Sequence, residues 1–180
     1  MRIIRGSRKG KVLSPPAGLP VRPTTDAAKE GLFNIIEHAW EWEGLHVLDL
    51  FAGTGNLSFE FVSRGCSQVT ALDMNPRCTD WIRQTASHLE FDNLYVVRSE
   101  AFSYLRAAGT RYHLITADPP YDMPESIRIP DMVFERGMLH PGGWLILEHP
   151  RELDFSQHPC FLMHKVYGKV NFSFFEAPEN

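Results

Sequence analysis

A strand pattern that ends in a turn with two glycines constrains this chain more than any other stretch. Residues 47–50 are apolar except for Asp49, which is the pattern of a short buried strand. The turn that follows contains Gly53 and Gly55, and a helical pattern begins at about residue 56. Glycine lets the backbone approach a ligand closely because it has no Cβ atom, and the free amides of a helix start face the same ligand. The stretch therefore predicts a binding site for a small molecule.

Two further acids follow strand patterns in positions that agree with such a site. Asp73 ends the apolar pattern of residues 68–73 and comes 20 residues after Gly53, where a doubly wound sheet carries the acid that binds a ribose. Asp118 follows the strand pattern of residues 112–117. The carboxyl ends of parallel strands lie at one edge of a sheet, so we expect these residues to meet there. The glycine turn alone is weaker evidence, because Ser58 stands where the dinucleotide fingerprint has its third glycine.

The order of the remaining patterns predicts the fold class. Helices are expected at about 25–42, 56–64, 76–88, 101–107 and 130–139, and strands at 47–50, 68–73, 94–98, 112–117 and 144–148. This alternation predicts an α/β fold, with a Rossmann-like, doubly wound, mostly parallel sheet of seven strands. Residues 161–166 and 171–176 are expected to close the sheet as an antiparallel edge hairpin. Short strands at 2–5 and 10–13 predict a small N-terminal β-hairpin arm.

Composition limits the class of protein. The 180 residues are 43% hydrophobic and 22% charged, which is typical of one globular domain spanning 1–180, with 1–22 as a basic arm and linker. The apolar runs are too short for a membrane helix, and Met1 to Gly6 lacks the apolar core of a signal peptide. Three cysteines without a C-x-x-C pair predict reduced thiols in a cytoplasmic protein without a metal site.

The basic residues are unevenly distributed. The net charge is −4, but residues 1–25 contain six basic and no acidic side chains. A basic arm on an acidic body is a plausible phosphate-binding surface, although a solvated charged hairpin would look the same. Charge alone leaves both interpretations open.

The turn Asp118-Pro119-Pro120-Tyr121 has the chemistry to hold an amino group on a flat base. Two prolines make the turn rigid and leave its carbonyls free to point outward. Asp118 and the Pro119 carbonyl would both accept hydrogen bonds from one exocyclic amine. These two bonds would localise the lone pair of the amine nitrogen, which is otherwise delocalised into the ring of the base. Tyr121 offers a face for stacking a base, worth about 1–3 kcal/mol. The alternative is a rigid turn with a solvated aspartate.

In their order along the chain, the glycine turn 51–55 and this later turn resemble class I S-adenosyl-L-methionine-dependent amino-methyltransferases. Arg2-Ile3-Ile4 before a basic turn, then Arg22-Pro23-Thr24-Thr25-Asp26, Glu30 and Leu32-Phe33-Asn34, are similar to the RsmD family. That family methylates N2 of guanine 966 in 16S ribosomal RNA. Tyr167-Gly168-Lys169 before an alternating strand also fits, so the resemblance covers nearly the whole chain.

The resemblance implies the cofactor, partner and site residues. The cofactor would be S-adenosyl-L-methionine, with S-adenosyl-L-homocysteine as product, and the partner would be 16S rRNA in the small ribosomal subunit, with neither a membrane nor an obligate protein partner. The catalytic residues would be Asp118, Pro119 and Tyr121. The cofactor would be bound by Asp49, Phe51, Gly53, Gly55, Asp73, Met74, Glu100, Ala101 and Asp118. The RNA would be bound by Arg5, Arg8, Lys9, Lys11, Arg22, Thr24, Asn34 and Tyr121, with Arg22, Thr24 and Asn34 at the border of the pocket.

Some positions depart from the family pattern. Ala27 and Ala28 stand where the family has basic residues, with Lys29 alone, which argues against RNA contacts by this helix. Asp73-Met74 replaces the usual Glu-Lys, and Glu100 replaces Asp or Asn.

The alternatives to an rRNA methyltransferase are a DNA amino-methyltransferase, a nicotinamide oxidoreductase and a non-catalytic RNA-binding assembly factor.

Overall fold

The computed structural model describes residues 1–22, 24–107 and 109–180, so Pro23 of the Arg22–Asp26 stretch lies outside the described residues. The helices are α1 (Asp26–Ala39), α2 (Asn56–Arg64), α3 (Pro76–His88), α4 (Ala101–Ala107) and α5 (Ile129–Glu135), with a 3₁₀ turn at Pro124–Arg128. The strands are β1 (His46–Asp49), β2 (Gln68–Asp73), β3 (Leu94–Arg98), β4 (Tyr112–Ala117), β5 (Leu139–His149), β6 (Phe161–Tyr167) and β7 (Val170–Glu176).

The seven strands form one sheet in the order β3-β2-β1-β4-β5-β7-β6. Strands β1 to β5 are parallel, and β7 pairs antiparallel with both β5 and β6. This confirms the predicted fold class. The chain order reverses between β1 and β4, which lie side by side with Asp49 opposite Thr116. The ligand site of such a sheet is expected at this reversal point, beyond the strands' carboxyl ends.

Both faces of the central strands β1, β2 and β4 are covered, which agrees with their nearly continuous burial. Alternate residues point to opposite faces, so Val47 belongs to one core cluster and Leu48 to the other. The first cluster includes side chains of α1, α2 and α3, and the second includes side chains of α4 and α5. Both predicted hairpin strands at the C-terminal edge are present.

Two predicted helices are shorter than expected. Helix α1 ends at Ala39 instead of residue 42, because Trp40 has extended backbone and its ring packs edge-on against Trp144 at 5.9 Å between centroids. Helix α5 ends at Glu135 instead of residue 139, since Gly137 adopts a positive φ of 59°. Residue 139 already belongs to β5, which therefore begins five residues earlier than predicted.

The N-terminal arm is paired less extensively than predicted. Its two segments meet in an isolated antiparallel bridge between Arg2 and Val12, without extended strands. The backbone amides of Ile4 and Arg5 donate instead to the carboxylate of Glu60, at 2.9 and 3.1 Å. These amides therefore attach the arm to α2, and they are not available to extend the pairing between the two segments of the arm.

A buried charge cluster completes this attachment. Glu60 is fully buried and forms ion pairs with Lys29 at 3.0 Å and Arg64 at 2.8 Å. Lys29 also donates to the Arg2 carbonyl at 2.9 Å and to Asn56 Oδ1 at 2.8 Å. Since Lys29 is only 1% exposed, its amine holds the arm and does not face RNA.

Gly31 in α1 marks a close approach between elements. A Cβ atom built at this position would lie 2.2 Å from Cε1 of Tyr167. The glycine therefore allows α1 to pack against the tyrosine at the end of β6. Among the described residues, none of the helices has the length and apolar character needed to cross a membrane.

Candidate active site

A cavity of about 850 Å³ opens at the carboxyl ends of β1, β2 and β4. Its wall includes the glycine turn after β1, Asp73 at the end of β2 and the diproline turn after β4. The segment Pro20–Arg22 and Thr24 close another side, ahead of α1. The sequence-predicted elements are therefore brought together around one space that is large enough for a nucleoside-sized ligand.

Asp49 is the acid within β1, and it is 2% exposed. Its carboxylate accepts hydrogen bonds from the hydroxyls of Ser58, at 2.6 Å, and Thr116, at 3.3 Å. Burial raises the pKa of Asp49 to about 6, although these hydroxyls favour the charged form. The two donors were not predicted from the sequence. A carboxylate in this position is suited to bind a cationic group at the cavity wall.

Asp73 is fixed by the turn that it faces. Oδ2 accepts from the Gly53 amide at 2.9 Å, and Oδ1 accepts from the Asn75 amide at 2.9 Å. A carboxylate has about four acceptor positions, so each oxygen retains one for a ligand. Two vicinal hydroxyls on a ribose are the donors that match such an arrangement.

The two glycines of the turn have different roles. Gly53 lines the cavity at a φ of 56°, whereas Gly55 is absent from the cavity wall. A Cβ on Gly55 would lie 2.8 Å from Cε2 of Phe59 and 3.1 Å from Cγ1 of Ile82. The structure therefore gives Gly55 a packing role, and the cofactor contact expected of it stays a prediction. Its φ of 81° and the tight packing beneath it start α2 at the correct place.

Glu100 lines the cavity, and its carboxylate accepts hydrogen bonds from the first turn of the helix that follows it, α4. Its two oxygens accept from the amides of Phe102, at 2.9 Å, and Ser103, at 2.7 Å, at the start of α4. Burial opposes the charge, but these amide bonds outweigh it and lower the pKa of Glu100. Phe51, Met74 and Ala101 also line the cavity, and Met74 is 65% exposed.

The turn after β4 forms a polar corner of the cavity. Asp118, Pro119 and Tyr121 all line it. The guanidinium carbon of Arg22 lies 4.3 Å from the centre of the Tyr121 ring, a cation–π contact worth about 0.5–1 kcal/mol where it is exposed. Arg22 thereby sets one side of the corner. A flat substrate reaching Asp118 would pass beside these two side chains.

Glu148 supports this corner and was missed in the sequence. It ends the apolar stretch of β5, is 5% exposed, and its Oε1 accepts from the Tyr121 hydroxyl at 3.1 Å. The signal was available, because a single acid at the end of an apolar strand is the same pattern that singled out Asp49. Burial and the facing charge of Glu148 raise the pKa of Asp118 well above its usual range.

The expected RNA-binding residues fall into two groups. Arg22, Thr24 and Tyr121 border the cavity, but Asn34 does not. Asn34 lies nine residues beyond the N-cap Thr25 and is not among the residues that line the cavity, so its expected RNA contact stays a prediction.

The basic arm lies away from the cavity, along α2. Arg5 pairs with Glu37 at 3.0 Å, and Arg8 pairs with Glu90 at 3.4 Å. Lys9 and Lys11 are exposed. Within the described ranges, no group of three or more His, Cys, Asp or Glu side chains is placed to hold a metal ion.

The cavity fits S-adenosyl-L-methionine in its donors, acceptors and size. Asp49, Asp73 and Met74 all line this cavity, and the cofactor contacts expected of them stay predictions. A solved structure of an RNA methyltransferase from Salinibacter ruber with S-adenosyl-L-homocysteine shares this fold, with a TM-score of 0.69 at 16% identity over 88% of this chain and 95% of that one. Fold and site define a methyltransferase that uses S-adenosyl-L-methionine.

The chain belongs to the family described as conserved hypothetical protein 95, whose model matches residues 1–176. It is 35% identical to YlbH of Bacillus subtilis, described as a candidate rRNA methyltransferase, over 87% of this chain and 86% of that protein. It is 32% identical to ribosomal RNA small subunit methyltransferase D of Escherichia coli, over 81% of this chain and 69% of that protein. Among solved structures, yhhF of Escherichia coli, described as a candidate methyltransferase, matches with a TM-score of 0.87 at 27% identity. The match covers 100% of this chain and 99% of that one.

Proposed function

We propose that this protein transfers a methyl group from S-adenosyl-L-methionine to the exocyclic N2 of a guanine in 16S ribosomal RNA of the small subunit. One observation carries the proposal: the glycine turn with Asp73 and the corner with Asp118 open into the same cavity, because β1 and β4 are neighbours. A cofactor on the β1–β2 side would therefore present its methyl group toward an amine held at the end of β4.

The chemistry demands positioning more than activation. The sulfonium supplies an activated methyl group, so the protein has to place the amine and exclude competing water. Asp118 and the Pro119 carbonyl would accept the two hydrogens of the amine. The ring of Tyr121, already covered on one side by Arg22, would stack on the base.

The substrate base would have to leave its stack. The corner lies inside the cavity wall, where a base paired in a helix would not reach, so an unpaired or flipped guanine is expected. The names of the two relatives support rRNA as the nucleic acid. The basic arm along α2 would bind phosphates beyond the cavity, through Lys9 and Lys11 in particular. This assignment also entails action in the cytoplasm, on ribosomal subunits or their precursors.

Labelled cofactor and competing substrates test the proposal. The protein is incubated with methyl-labelled S-adenosyl-L-methionine and small ribosomal subunits, naked 16S rRNA or duplex DNA. We expect label in the ribosomal RNA only, and Asp118→Ala should reduce the transfer at least ~100-fold while leaving cofactor binding within a few-fold. Glu125→Gln, an exposed change in the adjacent 3₁₀ turn, is the matched control.

The alternatives give distinct results. Label in duplex DNA would identify a DNA amino-methyltransferase, and RNA binding that neither uses nor depends on the cofactor would identify an assembly factor. Near-normal turnover by Asp118→Ala would overturn the role given to the diproline corner.

A further inference from the structure

Glu148 lies directly behind the corner that we assign to the target base. Ala117 of β4 is opposite Leu147 of β5, so the next residues, Asp118 and Glu148, come side by side where the two strands end. Glu148 is 5% exposed and does not line the cavity, whereas Asp118 and Tyr121 do. It therefore reaches the cavity only through these two neighbours.

One oxygen of Glu148 lacks a donor. Oε1 accepts from the Tyr121 hydroxyl at 3.1 Å, but Oε2 is buried without a hydrogen-bond partner among the described residues. A buried carboxylate oxygen in this state is costly. The carboxyl of Asp118 is the neighbouring acid, since the strand register brings it beside Glu148, and it has no hydrogen to donate when it is ionised. A single proton between the two carboxyls removes both the unpaired oxygen and the repulsion.

The other charged groups around the pair do not replace this proton. Asp49 on β1 adds a further negative charge facing Asp118, and Arg22, ahead of α1, is the cation that acts on both carboxyls. On the other side of Glu148, β7 places Phe172 opposite it and brings no charge. Burial raises the pKa of both Asp118 and Glu148, which agrees with a pair that retains a shared proton more readily than separate carboxyls would.

We propose that Glu148 is a positioning residue that shares one proton with Asp118, so that Asp118 keeps an unprotonated oxygen directed at the substrate amine and the pair carries a single negative charge. This inference rests on the proposed function for its consequence in catalysis. The pair itself is a property of the folded protein and is measurable without substrate.

Carboxyl titration tests the pair directly. The protein is labelled with carbon-13 at its Asp and Glu carboxyls and titrated by NMR. We expect a carboxyl step above the ordinary range of Asp and Glu that disappears in both Glu148→Gln and Asp118→Asn. It should persist in Asp49→Asn, which separates it from the titration of Asp49. A step unchanged in Glu148→Gln, or no such step in the wild type, overturns the shared proton.

Kinetics then tests the positioning role. In Glu148→Gln the carboxamide N–H takes the place of the shared proton and its carbonyl still accepts from Tyr121, so kcat near pH 7 should stay within about threefold of wild type. Glu148→Leu offers neither bond and should lower kcat about tenfold or more, with KM for the cofactor unchanged. Circular dichroism confirms folding of both variants, and Glu125→Gln should match the wild type.

The outcomes separate the two proposals. If Glu148→Leu retains full kcat, or folded Glu148→Gln is as slow as Glu148→Leu, Glu148 does not act through a shared proton. If the wild type shows the NMR step but methylates no ribosomal RNA, the carboxyl pair stands and the proposed substrate fails.

Discussion

The backbone amide of Gly53 donates a hydrogen bond of 2.9 Å to Oδ2 of Asp73, and this bond ties the turn after β1 to the acid at the end of β2. The same carboxylate accepts from the Asn75 amide. One side chain therefore shapes the glycine turn, begins the approach to α3 and leaves acceptor positions for a ribose. We therefore expect structure and binding to be coupled at this residue.

Replacing Asp73 should therefore affect both properties. We expect Asp73→Ala to weaken binding of S-adenosyl-L-methionine by about tenfold or more, and to lower the free energy of unfolding by about 1–3 kcal/mol, because two amides lose their acceptor. Calorimetric titration and thermal unfolding measure the two effects. The control is Asp80→Ala, which replaces an exposed acid on α3 that pairs with Arg83. Unchanged cofactor affinity in Asp73→Ala would remove this residue from the ribose site.

Asp49 should show a trade-off between stability and binding. Burial raises its folded pKa to about 6, above the ordinary value of 3.8, so ionisation in the folded state costs free energy. This cost is absent below pH 3.8, grows up to about pH 6 and is constant above it. Asp49→Asn should therefore raise the stability of the ligand-free protein at pH 8, by about 1–3 kcal/mol, with little gain at pH 4.

The same substitution should weaken cofactor binding, since the cationic amino group loses its counter-charge. Urea unfolding at pH 4 and pH 8, with cofactor titrations at pH 8, gives both quantities. A variant that is less stable at pH 8, or one that binds the cofactor as tightly as the wild type, argues against a charged Asp49 at this site.

Lys29 should be a determinant of stability and of the arm's attachment. Lys29→Met leaves the buried Glu60 without its nearest ammonium, which should cost about 3 kcal/mol or more. Amide hydrogen exchange at Ile4 and Arg5 should accelerate, because both amides depend on Glu60. Lys9→Met, in the exposed turn of the arm, is the matched control and should change stability by less than about 0.5 kcal/mol. Equal effects of the two substitutions would show that the buried cluster does not hold the arm.

The sequence predicts those parts of this protein that depend on local pattern. Periodicity and glycine placement identify the sheet and the strand ends that carry Asp49, Asp73 and Asp118. The lengths of α1 and α5 depend instead on Trp40 and Gly137, where tertiary packing and a positive φ end helices that the pattern would continue.

Long-range partners are the other part that local pattern does not supply. Lys29 is a single basic residue on a helix, and only the fold reveals that it is enclosed with Glu60 and Asn56. Gly55 lies in the same turn as Gly53, but only the fold shows that its missing Cβ makes room for Phe59. The role proposed for Glu148 depends on Asp118, which is 30 residues earlier in the chain and follows the end of the neighbouring strand β4.

The most direct test of the account is nucleoside mass spectrometry of 16S ribosomal RNA incubated with the protein and S-adenosyl-L-methionine. The account predicts one N2-methylguanosine at a single position, formed by the wild type and absent with Asp118→Ala. Methylation of adenine or cytosine, or methylguanosine formed equally by Asp118→Ala, would contradict the claim that this cavity joins the cofactor's methyl group to a guanine amine.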